Sequence, residues 1–576
     1  MRRNPFPLAL LLIPAAALLV VLPLIVQGCS CGHDFDFHLI SWMEAAAQFR
    51  AGVLHPAWAF SPAWNAGEPR FVFYPPVSWT LGALLGLMLP WSAVPLVYTW
   101  LALTASGFAM HRLARELCED KSEIAAPLIA AAAYLANPYM IFTAYERTAY
   151  AELLAAAWIP LLFAAVLRQR VTVLRVAIPV ALLWLTNAPA AVMGCYALVL
   201  LAAVRLVITW ASERRISLAH AGDACLKLAR SVVAGVALGL GLAAFYVLPA
   251  AYERRWVQIA MAMISGMRIE DNFLFHRTGD GPHDDVLHTA SMIAVILLTA
   301  AILILPAVVV RLRRERTRAI SRTGIAAISI GLLAAVIGLM LTPVSAPVWR
   351  VAPEMAFLQF PWRLTAVLAA AVCTGVALAV GRLRLSRPLL ALGALAIAAG
   401  FSLPAAHLFR QECDDEDTVA ARLAVFQAHA GTDPTDEYTP VQADNDSLAK
   451  SNPPFWLAQD ADAPAPAAGT PGPVPMHFSL RTDEEESLVL NLRDYPAWQV
   501  RLNGQEITEK TARADGLIAF PVSPGRSRID IAYTTTRDQR LGDGISLAAV
   551  CGALGLAAFG RRRSVSGAAR SRIIED

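Results

Sequence analysis

The sequence predicts a polytopic α-helical membrane protein of about twelve transmembrane helices, with a small extracytoplasmic β domain near its C-terminus. Three observations predict it. Of 576 residues, 57% are hydrophobic and 16% charged, far from the balance of a soluble domain. Twelve apolar runs alternate with polar loops so that the strongest Lys and Arg clusters fall on one side, the pattern that fixes membrane orientation. After the eleventh run the chain turns polar and then alternates with period two, a strand signal. A formal net charge of +3 gives no global reason to expect nucleic acid as a partner.

Met1-Arg2-Arg3 precedes the first run, 6–26, which is long enough to cross the hydrocarbon layer. Its arginines hold the N-terminus in the cytoplasm. Reading this run as a cleaved signal ending at Val26-Gln27-Gly28-Cys29 is disfavoured by Gln27 and by the many runs that follow. A long outer loop, 28–92, comes next and contains two helical patterns. In the first, Leu39, Trp42, Met43, Ala46 and Phe49 share one face while Asp34, His38, Ser41 and Gln48 share the other, which predicts a helix lying in the membrane interface. The second, 77–89, follows Tyr74-Pro75-Pro76 and is short for a span. Tryptophans throughout the loop suit the headgroup level.

Spans two to four lie near 93–110, 125–137 and 152–167, and the fifth and sixth form a hairpin about Asn187-Ala188-Pro189. The seventh covers 231–248, and the eighth, 289–310, ends at the most basic cluster, Arg311 to Arg318. The ninth, 325–341, opens onto Phe357 to Arg363, the tenth returns to Arg382 and Arg384, and the eleventh is 388–408. The twelfth, 541–559, stops at Arg561-Arg562-Arg563, so both termini fall in the cytoplasm of a cell (inner) membrane protein. Four regions follow: a transmembrane domain 1–408, an acidic and then Pro/Ala-rich linker 409–475, a β domain 476–540, and a last span with a basic tail, 541–576. Within the β domain, Leu488, Leu490 and Leu492 and then Trp498, Val500 and Leu502 alternate ahead of Asn503-Gly504, a strong hairpin signal. Of eight cysteines only Cys29 and Cys31 fall close together, and their spacing would strain a bond between them. No zinc spacing is present.

Gly32-His33-Asp34-Phe35-Asp36-Phe37-His38 opens the first outer loop, at a membrane surface where charges seldom sit without a partner or a task. One aspartate suits a helix N-cap or first turn. Two aspartates flanked by His33 and His38 exceed what capping needs. A carboxylate here can take a proton from an acceptor hydroxyl, or bind a divalent cation (Mg or Mn) with Asp34, Asp36 and His38 as ligands. Glu146, Arg147 and Glu152 form a second cluster on the same side. It reads either as a solvated loop with Glu152 at a helix start, or as a site in which Arg147 grips the phosphate of a lipid-linked donor. Arg363 lies on the outer side against the charge rhythm, as a snorkelling anchor or a second phosphate partner. The absence of a Walker-type loop, a nucleophile elbow and a dinucleotide fingerprint argues against ATP-driven transport by this chain.

Four further stretches narrow the reading: Gly67-Glu68-Pro69-Arg70-Phe71-Val72-Phe73-Tyr74-Pro75-Pro76, Tyr145-Glu146-Arg147-Thr148-Ala149-Tyr150-Ala151-Glu152, Phe357 to Arg363, and Asp494-Tyr495-Pro496-Ala497-Trp498. Together with His33 to His38 they resemble a bacterial family of YfhO-like membrane proteins, labelled "6-pyruvoyl-tetrahydropterin synthase-related", and more broadly the GT-C superfamily of integral membrane glycosyltransferases. Nothing in the chain suggests pterin chemistry. The resemblance implies inverting transfer of a sugar from a polyprenyl-phosphate-linked donor, held in membrane lipid, to an envelope glycan, lipid or protein acceptor on the extracytoplasmic face. It implies Asp34 or Asp36 as base or metal ligand and Glu146 or Glu152 as the second acidic position. His33, His38, Tyr74, Arg147 and Arg363 are the candidate substrate contacts. Because phosphate is already a stable anion, one carboxylate suffices, without the second acid a glycosidase needs. The alternative is a non-catalytic carrier or assembly factor for envelope glycolipid or polymer. A carrier places its charges near mid-membrane, whereas here they gather at the outer edge.

Overall fold

The computed structural model describes residues 6–118, 124–314, 321–381, 385–466 and 469–575. Backbone polar groups find no partner in hydrocarbon, so apolar segments of this length resolve into helices. Among the described residues, eleven helices are long and apolar enough to cross a membrane, from Leu8–Gln27 to Arg537–Phe559, and the chain is a multi-pass membrane protein. The fifth expected span is the shorter apolar helix Val173–Thr186. It stops at Asn187, whose side chain accepts from the Ala190 N–H and caps the next helix, Ala188–Glu213. The expected hairpin at Asn187-Ala188-Pro189 is therefore present. Of the expected basic clusters, Arg2, Arg3, positions 315–318, Arg382 and Arg384 lie outside the described residues, as do the side chains of Arg561 to Arg563.

The first loop departs from the expected packing of its polar side. Helix Phe35–Arg50 does not turn a polar face to water, because both of its faces are buried. Its apolar face, with Leu39, Trp42, Met43 and Ala46, joins the bundle core beside Trp79 and Tyr98. Its polar face finds protein partners. Glu44 accepts from the Ser61 N–H at 2.6 Å, Gln48 Nε2 donates to Trp58 O at 2.8 Å, and Ser41 Oγ accepts from Arg70 Nη1 at 3.1 Å. An amphipathic pattern records which side carries polar atoms and not whether water or protein satisfies them. The second pattern is helix Pro76–Met88, as short as expected.

The C-terminal polar region forms two antiparallel sheets. One has the order β1-β3-β6 and the other β2-β7-β4-β5, with β1 Phe455–Ala458, β2 His477–Thr482, β3 Glu486–Arg493, β4 Trp498–Leu502, β5 Gln505–Glu506, β6 Leu517–Val522 and β7 Gly525–Tyr533. Period-two residues Leu488, Leu490, Leu492, Val500, Ile529 and Ile531 meet between the sheets, as a sandwich requires. Asn503-Gly504 makes the β4–β5 turn with φ of 52° and 85°. The sandwich also takes in β1, upstream of the boundary expected at 476. Strand β3 is buried on both faces, and Val489 on its second face packs with Ala63 and Ala66 of the first loop. The sandwich thus seats directly on the loop that carries the acidic motif.

Between the helix Arg387–Phe409 and the sandwich, the acidic stretch 411–440 crosses back over that loop. Cys31 N–H donates to Gln411 O at 3.2 Å and Gln411 N–H to Ser30 Oγ at 2.9 Å, and a disulfide joins Cys31 to Cys413. The expected Cys29–Cys31 proximity yields no bond between those two. Cys31 pairs instead across 382 residues, with a Cα–Cα separation of 5.0 Å that suits a disulfide.

Candidate active site

A cavity of about 600 Å³ lies where the first loop, the 145–152 loop, the Phe357 to Arg363 stretch and the acidic cover meet. Two of these stretches meet at Gly32. A Cβ at that position would stand 2.2 Å from Glu146 O, so only glycine lets the first loop press against the second. The contact is sealed by the Asp34 N–H, which donates to Arg147 O at 2.9 Å, and by Ser30 Oγ, which donates to Tyr145 O at 2.6 Å. Two motifs more than a hundred residues apart in the sequence are thereby set side by side.

Asp34 occupies the N-cap position of helix Phe35–Arg50, yet its side chain makes no capping hydrogen bond. Its carboxylate reaches Arg147 Nη2 only at 3.9 Å and is 44% exposed, so it stays available to a ligand in the cavity. Capping therefore does not account for Asp34. Arg147 donates through Nη1 to Glu152 Oε2 at 2.8 Å and lies over the Trp362 ring at 4.9 Å. Burial acts to lower its pKa, but Glu152, Tyr139 and Asp34 outweigh that and hold the guanidinium charge firmly in place. Glu152 also accepts from Tyr139 OH at 2.5 Å and pairs with Arg363 Nε at 3.8 Å. Arg363 donates through Nη1 to Leu358 O at 3.0 Å, and its buried Nε has no hydrogen bond. Two guanidiniums, each with five N–H donors, thus share one buried carboxylate and leave donors directed at the cavity.

His38 and Tyr74 complete this wall. His38 is 2% exposed and packed among the rings of Phe37, Trp42, Tyr74 and Tyr150. Burial pushes its pKa down to about 4, so near neutrality it is an uncharged ring. Burial likewise raises the Tyr74 phenol well above its usual range.

The structure brings Asp34, His38, Tyr74, Arg147, Glu152 and Arg363 to one cavity, and places Asp36, Glu146 and His33 outside its lining. Asp36 turns the other way because side chains two residues apart do not share a helix face. It pairs with Arg422 Nε at 2.9 Å, and Arg422 also holds Asp417 at 2.5 Å. Glu146, whose side chain diverges from that of its neighbour Arg147, accepts from Gln411 Nε2 at 2.7 Å. Both acids hold the acidic cover against the first loops. Burial raises the Asp36 and Glu146 carboxyls and lowers the His33 imidazole.

The expected ligand set of Asp34, Asp36 and His38 is not assembled. Asp36 is committed to Arg422, His38 is enclosed by rings, and among the described residues no group of three His, Cys, Asp or Glu side chains could hold a metal.

The cavity also takes in residues the sequence reading did not single out. Thr435, Glu437 and Tyr438 descend from the acidic cover, and Tyr246 and Arg254 come from helix Ala244–Glu253 and the residue after it. A signal for the cover existed in Cys413, a cysteine in a polar stretch like Cys29 and Cys31.

No protein family matches the chain by sequence, and no curated protein does. Among solved structures, arabinofuranosyltransferase AftD from Mycobacteria aligns with a TM-score of 0.39 and 17% identity over 68% of this chain. A mutant form of AftD aligns with a TM-score of 0.40 and 16% identity over 68% of this chain. The chain spans 26% and 28% of the length of those two structures.

Proposed function

We propose that the chain is a membrane glycosyltransferase of the GT-C kind, moving a sugar from a polyprenyl-phosphate-linked donor to an envelope acceptor on the outer face. The observation that carries this reading is one cavity holding two guanidiniums around Glu152 with a carboxylate, Asp34, held only by a 3.9 Å contact to Arg147. Arg147 and Arg363 suit a phosphate, which they would bind through paired N–H donors. In the reaction an acceptor hydroxyl oxygen attacks the anomeric carbon, the bond from that carbon to the phosphate oxygen breaks, and its electron pair leaves on the phosphate. The hydroxyl proton passes to Asp34. A single displacement inverts the anomeric centre, and the two arginines stabilise the charge that grows on the leaving group. The Cys31–Cys413 disulfide supports an outer-face site, because such bonds persist in oxidising compartments.

The test uses the purified full chain with a panel of polyprenyl-phosphate monosaccharides and envelope extract as acceptor. Asp34→Asn is expected to abolish transfer while Asp36→Asn retains most of it. In a deletion strain, lipid extraction should show an accumulated polyprenyl-phosphate sugar. Undiminished transfer by the Asp34→Asn protein would remove Asp34 from the base role, and no transfer by the wild-type chain from any donor would return it to the carrier reading.

A further inference from the structure

Glu437 is the one carboxylate that the acidic cover sends into the cavity, and its side chain accepts from its own backbone N–H. Among the described residues no side-chain donor or ion pair reaches it. Its backbone is fixed on both sides. Thr435 N–H donates to Glu68 Oε2 at 2.9 Å, Arg70 Nη2 donates to Thr435 Oγ1 at 3.2 Å, and Asn445 Nδ2 donates to Asp436 Oδ1 at 2.8 Å. Next to it, the buried Tyr438 ring stacks on Phe73 at 5.5 Å and 15°, and Phe73 O in turn accepts from Tyr246 OH at 2.8 Å. A half-buried carboxylate held on such a rigid frame, beside flat apolar faces and bonded only to its own backbone N–H, keeps acceptor lone pairs for a ligand.

We propose that this roof is the acceptor subsite and that the acceptor presents a neutral, hydroxyl-rich sugar ring. Glu437 accepts hydrogen bonds from its hydroxyls, and the Phe73–Tyr438 pair covers its C–H face. The assignment rests on the transferase reading of the same cavity and adds the chemical class of the acceptor to it.

Charge decides between acceptor classes. The floor is cationic through Arg147 and Arg363 and suits the donor phosphate, so a second phosphate at the roof would meet Glu437 and also Glu354, which lines the same cavity. An ammonium acceptor would meet Arg70, whose charge acts on Glu437, and Arg254, which lines the cavity and pairs with Glu354 at 3.5 Å. A ring of hydroxyls incurs neither repulsion. Burial raises the Glu437 carboxyl above its usual range, which strengthens it as a hydrogen-bond acceptor once ionised.

The test uses the full chain in lipid nanodiscs, with methyl glycosides of glucose, galactose, mannose and arabinose as roof probes and undecaprenyl phosphate as floor probe. At least one glycoside should bind. Glu437→Gln should weaken it about tenfold, the loss that follows when a charged acceptor becomes neutral, and leave undecaprenyl phosphate unaffected. Arg363→Gln should do the reverse. Equal glycoside binding by wild type and Glu437→Gln, binding of no glycoside, or preferential binding of methylammonium or methyl phosphate at the roof would each overturn the assignment. Failure of undecaprenyl phosphate to bind the wild-type floor is a different result, and it would sink the donor reading itself.

Discussion

Asp34 and Arg147 illustrate how differently two residues of one site are tied to the fold. The Asp34 contact is long and half exposed, and exposed pairs contribute about 0–1 kcal/mol. Asp34→Asn should therefore leave thermal stability almost unchanged while removing activity. Arg147 is 5% exposed and holds Glu152 in a buried pair, and removing one partner of such a pair costs about 3–5 kcal/mol. Arg147→Met should lower the melting temperature sharply, and a variant as stable as wild type would contradict the pairing. His38 gives a pH prediction with a definite sign. Its folded pKa of about 4 lies below its usual 6.5, so the unfolded chain takes up a proton first as pH falls. The stability due to its neutral form is complete above pH 6.5 and is lost as pH drops toward 4. Replacing His38 with Phe should flatten melting temperature across that window.

At the scale of elements, the joint between the first loop and the 145–152 loop is the part most open to a single change. Gly32→Ala puts a methyl group within 2.2 Å of a backbone carbonyl that cannot swing away, so the loops must separate. Transfer should fall more than a hundredfold, which is about 2.7 kcal/mol of lost transition-state stabilisation. Activity within tenfold of wild type would show that the two loops need not touch. The helices and the sandwich were legible in the sequence because apolar length and period-two alternation are local properties. So was the grouping of Asp34, His38, Tyr74, Arg147, Glu152 and Arg363, since all fall on one side of the charge rhythm. The fate of Asp36 and Glu146 was not, because it depends on Arg422 and Gln411, hundreds of residues away in the sequence. The partners of the first-loop helix were not legible for the same reason: its polar face is satisfied by Ser61 and Arg70, contacts that no periodicity records.

Across the whole molecule, one buried acid ties the sandwich to helix Ala244–Glu253, in addition to its seat on the first loop. Glu253 has no exposed surface and accepts from Tyr495 OH, from Gln539 Nε2 at 2.9 Å and from Thr536 Oγ1 at 3.3 Å. These donors come from the sandwich, from the residue before the last helix and from that helix's first turn. Burial, with Asp538 beside it, pushes the Glu253 pKa up to about 7 from 4.5. A raised carboxyl pKa stabilises the docked state fully below pH 4.5, and that stability is lost as pH rises through 7. Once the base-catalysed intrinsic rate is divided out, protection from hydrogen exchange at strands β4 and β7 should fall over that range, and Glu253→Gln should remove the fall. Protection that is flat with pH in the wild type would rule this out.

The Cys31–Cys413 bond has a bearing on how the protein is made. Cys31 follows the first helix, whereas Cys413 is synthesised only after helix Arg387–Phe409. Until then the cavity has a floor without a covalently fixed roof, so the order of translation alone keeps a nascent chain from closing its own site. A chain inserted by a cell that cannot oxidise thiols should carry every helix and still be unlatched. Cut once within the intervening loops, the oxidised protein should run as a single band until a reductant is added.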